Sequence, residues 1–491
     1  MEDDYVDFYT ERGVPMMLSR EGPKAAYGDV NGDGLADLYI GGASKQAGQL
    51  YLQTSNGFIK KDQGDFKILA DFEDVAALCF DADKDGDLDL FVGSGGNKSP
   101  TFSQDYINRL YKNDGKGNFT IAAGSVQYSG TNISVAVAND FDDDGDLDLF
   151  LGSRSVPQMY GQTPPSFLLI NDGTGKFTDI AETRNPDIAR IGMVTGAIWA
   201  DVTGDKQKEL IVVGEWMAPR IFSFENNRFV EVKTNLANLL GWWKTLVASD
   251  IDSDGDDDLV LGNLGENFYL HPDTDKPVKM FIGDFDNNGT SEEIITRRID
   301  GKDKPVFLKG ELIDQIPSLR KQNLNYVDFA NKSVQELFAQ DLIQKCTVKQ
   351  FNFSSSCIAL NEGNGKFTIK KMPLEVQLSC VNAIKCSDIN NDGKPDLILG
   401  GNDFSFLPQF SRLDASYGHL LMNKGKGEFE WIGPGQSGID IPGEIKDIVE
   451  IPVKDKKFFL FLLNNDYPVL YQLKTPGIRR DETVKNSKAG K

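Results

Sequence analysis

Apolar residues come in short runs that stop at glycine. Asp37-Leu-Tyr-Ile-Gly41, Asp89-Leu-Phe-Val-Gly93, Asp148-Leu-Phe-Leu-Gly152, Asp258-Leu-Val-Leu-Gly262 and Asp396-Leu-Ile-Leu-Gly400 share one form. Runs of this length ending in glycine read as buried strands, and the segments before them, such as Ile133–Ala138, are strand-like too. A second element follows most of them: a strand, a glycine turn, then Phe and another strand. It spans Leu110–Phe119, Leu168–Phe177, Ala359–Phe367 and Leu421–Phe429, with weaker copies at Tyr51–Phe58 and Phe222–Phe229. Each unit is therefore two hairpins, a four-stranded antiparallel sheet. The pattern returns at residues 29, 81, 140, 201, 250, 284 and 388, a repeat signature. The expected fold is all-β, a β-propeller whose radial sheets keep their edges short and protected. Counting units predicts eight blades. Seven is the alternative, because the unit Lys244–Leu270 is short and lacks a clear fourth strand.

The last unit, residues 446–473, has three strand-like pieces and no acidic loop, so Tyr5–Tyr9 is expected to complete it. This makes residues 1–475 one propeller domain closed by the N-terminal strand, with 476–491 a disordered tail. One small helical insertion, residues 311–345, breaks the period. Ile313, Ile316 and Leu319 share a face there, Ser333 and Glu336 form a capping box, and the apolar stripe is expected to pack on the propeller.

The strand runs are joined by nine-residue acidic segments at 29–37, 81–89, 140–148, 201–209, 250–258, 284–292 and 388–396. These hold 29 of the chain's 74 acids in 63 residues, at fixed positions one, three, five and nine. Like charges packed this way repel unless a cation sits among them. Oxygen ligands at alternate positions of a tight loop converge on one centre, glycine at position six permits the sharp turn, and the set suits Ca²⁺ better than Mg²⁺. The expected ligands are Asp29, Asn31, Asp33 and Asp37; Asp81, Asp83, Asp85, Asp87 and Asp89; and Asp140, Asp142, Asp144, Asp146 and Asp148. They continue with Asp250, Asp252, Asp254, Asp256 and Asp258; Asp284, Asp286, Asn288 and Glu292; and Asp388, Asn390, Asp392 and Asp396. At position seven Leu35, Thr290 and Lys394 offer backbone carbonyls. The fourth loop, with Lys206 in place of glycine, is expected to be weak or empty, leaving about five to six calcium ions. An EF-hand is excluded: position twelve is apolar in the five best loops, and strands flank the loops where helices would be required.

Composition narrows the function. A net charge of −22 argues against nucleic acid as a partner, and two histidines exclude multi-histidine zinc sites. The longest apolar run, Phe458–Leu463, is too short to span a bilayer, and the start of the chain has no signal-peptide pattern. The chain reads as a mature segment or as part of a larger surface protein. Five cysteines do not make a disulfide framework, although a pair among Cys346, Cys357 and Cys380 could bridge.

The acidic hairpin loops followed by Asp-Leu-x-x-Gly resemble the FG-GAP/VCBS repeats of integrin α-subunit propellers. Gly214–Met217, Ser249–Gly265, Met280–Gly289 and Arg412–Gly418 are similar to segments of bacterial VCBS-repeat proteins of the Bacteroidetes type. The resemblance covers residues 5–473 and implies calcium at the loops and an extracellular, periplasmic or outer-membrane location.

In such a blade the acidic hairpins and Gly-x-Gly turns share one face. The longer connections 94–108, 153–166, 297–352 and 402–418 lie on the other, where function usually resides. That second face is expected to carry a glycan or protein ligand on Arg154, Glu215, Trp216, Trp242, Trp243, Asn263, Asn402, Asp403, Arg412 and Asp414. The expected function is a non-catalytic, calcium-stabilised binding module. The alternative is a calcium-dependent carbohydrate-active enzyme such as a polysaccharide lyase, with Arg154, Arg412 and Tyr417 as partial candidates.

Overall fold

A computed structural model describes residues 2–322, 325–454 and 456–474. Among these residues the chain is all-β, with eight antiparallel sheets and only short helices. Seven sheets follow one another along the chain. Their first strands are Ala25–Gly28, Asp74–Phe80, Asn132–Asn139, Met193–Ala200, Thr245–Ser249, Val381–Ser387 and Ile445–Val453. Each first strand packs against the next, and the last also packs against Ala25–Gly28. Second strands such as Asp89–Ser94, Glu209–Met217 and Asp258–Gly262 are buried throughout, which explains why they read as unbroken apolar runs rather than alternating ones.

The hydrophobic core is divided accordingly. One cluster lies between each pair of consecutive sheets, for example Phe91, Leu110, Ile133 and Leu149 between the second and third. A further cluster joins Leu38 and Tyr51 of the first sheet to Val449, Ile451 and Leu462 of the last. Hydrogen bonds reinforce that seam: Lys24 Nζ donates to the Lys446 carbonyl (2.7 Å), Ala25 N to Asp447 Oδ2 (3.1 Å) and Gln53 Nε2 to the Pro452 carbonyl (3.0 Å).

The eighth sheet is an insertion. It lies between the second strand (Asp258–Gly262) and third strand (Cys357–Asn361) of the fifth sheet. It comprises Val278–Gly283, Glu292–Ile299, Lys302–Pro305 and Thr347–Phe351, with five short helices from Lys309 to Lys345. The turn Ala359–Phe367 thus belongs with Thr245–Gly262, in the unit expected to be short and without a clear fourth strand, and the 284–292 loop sits on the inserted sheet. The connection between second and third strands here is 263–356, longer than the 297–352 expected. Ile313, Ile316 and Leu319 are buried against Val14, Met16 and Phe410, and the Ser333–Glu336 capping box is present.

One expectation about the chain ends needs correction. Tyr5–Tyr9 adds no strand: Asp7–Tyr9 is a 3-10 turn, and the sheet at 445–472 has three strands. Asp7 is buried and accepts from Ser19 Oγ (2.6 Å) and Asn97 Nδ2 (2.9 Å), which ties this segment over the second sheet's loops. The tail 476–491 lies outside the described residues. All five cysteines are free thiols, so no pair among Cys346, Cys357 and Cys380 is bridged.

Burial holds one histidine neutral. His419 Nδ1 accepts from Trp431 Nε1 (3.2 Å), so Nε2 carries the proton toward Ser416 Oγ (3.1 Å). Burial pulls its pKa down from 6.5 to about 4. Between those values the unfolded chain takes up a proton that the folded chain does not. This contribution to stability is therefore complete above pH 6.5 and lost progressively as pH falls toward 4. Proton NMR of the imidazole resonances should show His419 still neutral at about pH 5, below the ordinary histidine pKa. A resonance already shifted to the imidazolium position there would contradict this burial.

Candidate metal centres and the opposite face

Each acidic segment is the turn of a hairpin, closed by a pair between the residue before position one and position nine. The pairs are Gly28–Asp37, Phe80–Asp89, Asn139–Asp148, Ala200–Glu209, Ser249–Asp258, Gly283–Glu292 and Ser387–Asp396. Position six has positive φ in every loop, from +75° at Lys206 to +103° at Gly255. Position four is left-handed too, and there the residue is usually not glycine: Lys84, Asp143, Ser253, Asn287 and Asn391 all have φ near +60°. Position one organises the turn. Asp250, for example, accepts from Asp254 N (3.1 Å) and Gly255 N (3.2 Å), and Asp140, Asp284 and Asp388 repeat this.

Position nine is buried in all seven loops and fastens the structure. Asp258 Oδ2 accepts from Ile251 N (2.9 Å) within its loop, and Oδ1 accepts from Asn361 N (2.7 Å) on the third strand. That asparagine recurs at Asn113, Asn171 and Asn423, and its side-chain amide donates in two directions. Asn171 Nδ2 reaches the Leu147 carbonyl of its own loop (3.1 Å) and the Ala82 carbonyl of the preceding sheet's loop (2.9 Å). Asn113, Asn361 and Asn423 reach Val30, Val202 and Ile251 in the same way. Neighbouring loops are thus linked through one amide. Reading for charged loops passes over these residues, although the signal is present as the asparagine that closes the third strand in four of the sheets.

The donor set can be tested for cation binding. Carboxylate oxygens of Asp81, Asp83 and Asp85 lie within 4.8 Å of one another, as do those of Asp140, Asp142 and Asp148; of Asp250, Asp252 and Asp254; and of Asp284, Asp286 and Glu292. In three loops buried oxygens have no hydrogen-bond partner: Oδ1 of Asp81, Asp83 and Asp87; of Asp142 and Asp146; and of Asp252 and Asp256. A buried carboxylate oxygen with no donor is costly, and a cation removes the cost. The same loops push their acids toward the neutral form. Burial first, then the neighbouring aspartates, raises Asp87 and Asp256 to about 6. Burial raises Asp89 and Asp258 to about 6 and Asp148 to about 7, against the hydrogen bonds they accept. These loops can therefore hold metal ions. The fourth loop differs: Thr203 Oγ1 donates to Glu209 Oε1 (3.2 Å), and no cluster forms there among the described residues.

The opposite face is more closed than expected. Of the ten candidate ligand residues, Glu215, Trp216, Trp242, Trp243, Asn263, Asn402 and Asp403 are buried, and Arg154 is nearly so. Trp216 and Trp242 pack at 5.0 Å in one aromatic cluster with Phe351 of the inserted sheet, and Phe406 joins against Trp242. Trp243 lies in the core between the fourth and fifth sheets. Rings at 0–5% exposure offer no platform for stacking a sugar. Arg154 is committed to two carboxylates, Glu21 and Glu215, at 2.6 Å each. Although burial opposes it, Arg154 and Lys244 hold Glu215 below the usual carboxylate range. Asn263 and Asn402 spend their amides on backbone groups, with Asn263 Nδ2 on the Phe353 carbonyl (3.1 Å) and Asn402 Nδ2 on the Ser416 carbonyl (2.7 Å). Only Arg412 and Asp414 stand in solvent, at 61% exposure each, with the Arg412 guanidinium 3.6 Å over the Phe404 ring.

Beside Phe404 an open cleft of ≈ 260 Å³ lies between the sixth and seventh sheets. Ser405, Glu444, Asn464, Asn465 and Asp466 line it. No sequence motif marks this cleft, because residues from distant parts of the chain form it.

Comparison with known proteins places the repeat. The FG-GAP-like repeat matches residues 29–92, 81–151, 140–212 and 201–261, each match running from position one of a loop to the strand after the next loop. Among solved structures, the V. cholerae biofilm matrix protein Bap1 is similar at 11% identity, over 94% of this chain and 89% of that one, with a TM-score of 0.37. Saccharomyces cerevisiae Sqt1 is similar at 8% identity, over 94% of this chain and 98% of that one, with a TM-score of 0.44. No curated protein matches. Residues 29–261 are thus made of four overlapping FG-GAP-like repeats.

Proposed function

We propose that this protein is a calcium-stabilised, seven-bladed β-propeller that serves as an extracellular or cell-surface binding module. The cycle of first strands and the core between the first and last sheets support closure with seven blades. The single observation that carries the calcium assignment is the set of buried carboxylate oxygens without donors in the loops at 81–89, 140–148 and 250–258. Within those loops the acids at positions one, three, five and nine, with oxygen at position seven, hold the ion. The 284–292 loop adds a fourth centre on the inserted sheet, and those at 29–37 and 388–396 are weaker because asparagine replaces aspartate at position three.

The ligand is a glycan or a protein segment, and it meets the face opposite these loops. Its contact patch is narrower than the sequence suggested: Arg412, Asp414 and Tyr417, with Phe404 and the adjoining cleft, which combine an aromatic edge, amides and carboxylates. A binding role is favoured over a lyase because Arg154, the candidate closest to the centre, is held by Glu21 and Glu215. Glycan-array screening with and without calcium tests the reading. Arg412→Ala should weaken any hit about tenfold with the fold intact, and an equal affinity would remove this patch.

A further inference from the structure

At the centre of the cycle of first strands lies a cavity of ≈ 80 Å³. Each of the seven sheets contributes one residue at or just before its first strand: Lys24, Val75, Ser134, Thr195, Lys244, Asn382 and Lys446. Met17, Arg20 and Glu21, on the chain leading into the first sheet, close part of its mouth. In a chain of net charge −22, this lining carries five cationic side chains (Arg20, Lys24, Arg154, Lys244 and Lys446) and two carboxylates, Glu21 and Asp403.

Three of the cations are balanced nearby. Arg154 pairs with Glu21 and Glu215, Lys244 lies 3.4 Å from Asp403 and 3.7 Å from Glu215, and Lys446 lies 3.8 Å from Glu444. Arg20 and Lys24 have no carboxylate within 4.0 Å among the described residues. Arg20 donates only to the carbonyls of Asp3 and Tyr5, and its buried Nε finds no hydrogen-bond partner. Lys24 donates to the Lys446 carbonyl. Glu2, the next acid near Arg20 and Lys446, is pushed up to about 7 by burial and so leans toward its neutral form.

We infer that the axial cavity is an anion site. It takes a compact oxyanion, a sulfate or carboxylate group, between Arg20, Lys24 and Lys446. The anion offsets the excess positive charge of the lining, with charge-assisted bonds stronger than those to neutral carbonyls. This site shares Met17, Arg20 and Ser405 with the cleft beside Phe404 but takes no residue from the exposed Arg412–Asp414 patch, and it does not depend on which ligand that patch takes.

Calorimetric titration of the calcium-loaded full chain tests it, with sodium sulfate in one arm and sodium glucuronate in the other at constant ionic strength. Saturable binding of one anion per chain is expected in at least one arm; sulfate alone would indicate a free ion, glucuronate an acidic sugar. Arg20→Gln and, separately, Lys24→Met should each weaken it tenfold or more, whereas Arg412→Ala should leave it unchanged. A thermal melt shows whether each variant folds; should one fail, the other decides. No saturable heat in either arm, or undiminished affinity in a folded variant, overturns the assignment.

Discussion

Removing calcium is expected to lower the melting temperature by several degrees and to restore it on readdition. An ion that binds only the folded state stabilises it by about 2.7 kcal/mol when present at a hundredfold excess over its dissociation constant. The effect should come mainly from the loops at 81–89, 140–148 and 250–258, where oxygens without donors and acids displaced toward neutrality show what the cation must offset. Magnesium should restore less, because its smaller octahedron fits a flexible carboxylate loop poorly. Calorimetric melts with chelator, together with elemental analysis of the purified protein, measure both quantities. A melt indifferent to chelator in a protein that contains no calcium would end the assignment.

The second large effect belongs to Trp242. Replacement by alanine should cost about 3–5 kcal/mol, the usual range for an aromatic removed from a packed core. The ring is fully buried among Trp216, Phe351 and Phe406 and lies in the cluster that joins the N-terminal segment, the inserted sheet and the loops of the face opposite the metal centres. Arg412→Ala, at an exposed position, should change stability by no more than about 0.5 kcal/mol. Urea unfolding of the two variants separates a packing residue from a contact residue. A stable Trp242→Ala protein that had lost only ligand binding would reverse these two roles.

The repeat and its hairpins were legible because each depends on residues close together in sequence. Aspartates at alternate positions, a glycine at position six and an apolar run ending in glycine fix the turn and its flanking strands locally. Sheet membership was less legible. The strand Cys357–Asn361 pairs with Asp258–Gly262 across almost a hundred intervening residues and carries Phe367–Lys371 on its outer side, and the 284–292 loop inside that interval imitates an independent unit. The second face was misread for a related reason. Trp216 lies near the end of a second strand and Trp242 on a two-residue strand beside it, positions that look exposed in the sequence until the insertion brings Phe351 onto them. Phe404 gained its role through contacts that no periodic pattern encodes. The left-handed position four was hidden because lysine, aspartate, serine and asparagine share it with glycine.

The linking asparagines have a further consequence. Because each amide bonds the carbonyl after position one in the preceding loop, distortion of one loop disturbs the sheet that follows it. A change at one of these turns is thereby passed to the sheet that follows it, in one direction along the chain, at four of the junctions. The relay is interrupted between the third and fourth sheets, where Phe224 stands in the asparagine's place, and again at the three-stranded sheet, which lacks an acidic loop and is joined to the first sheet by Gln53 and Lys24.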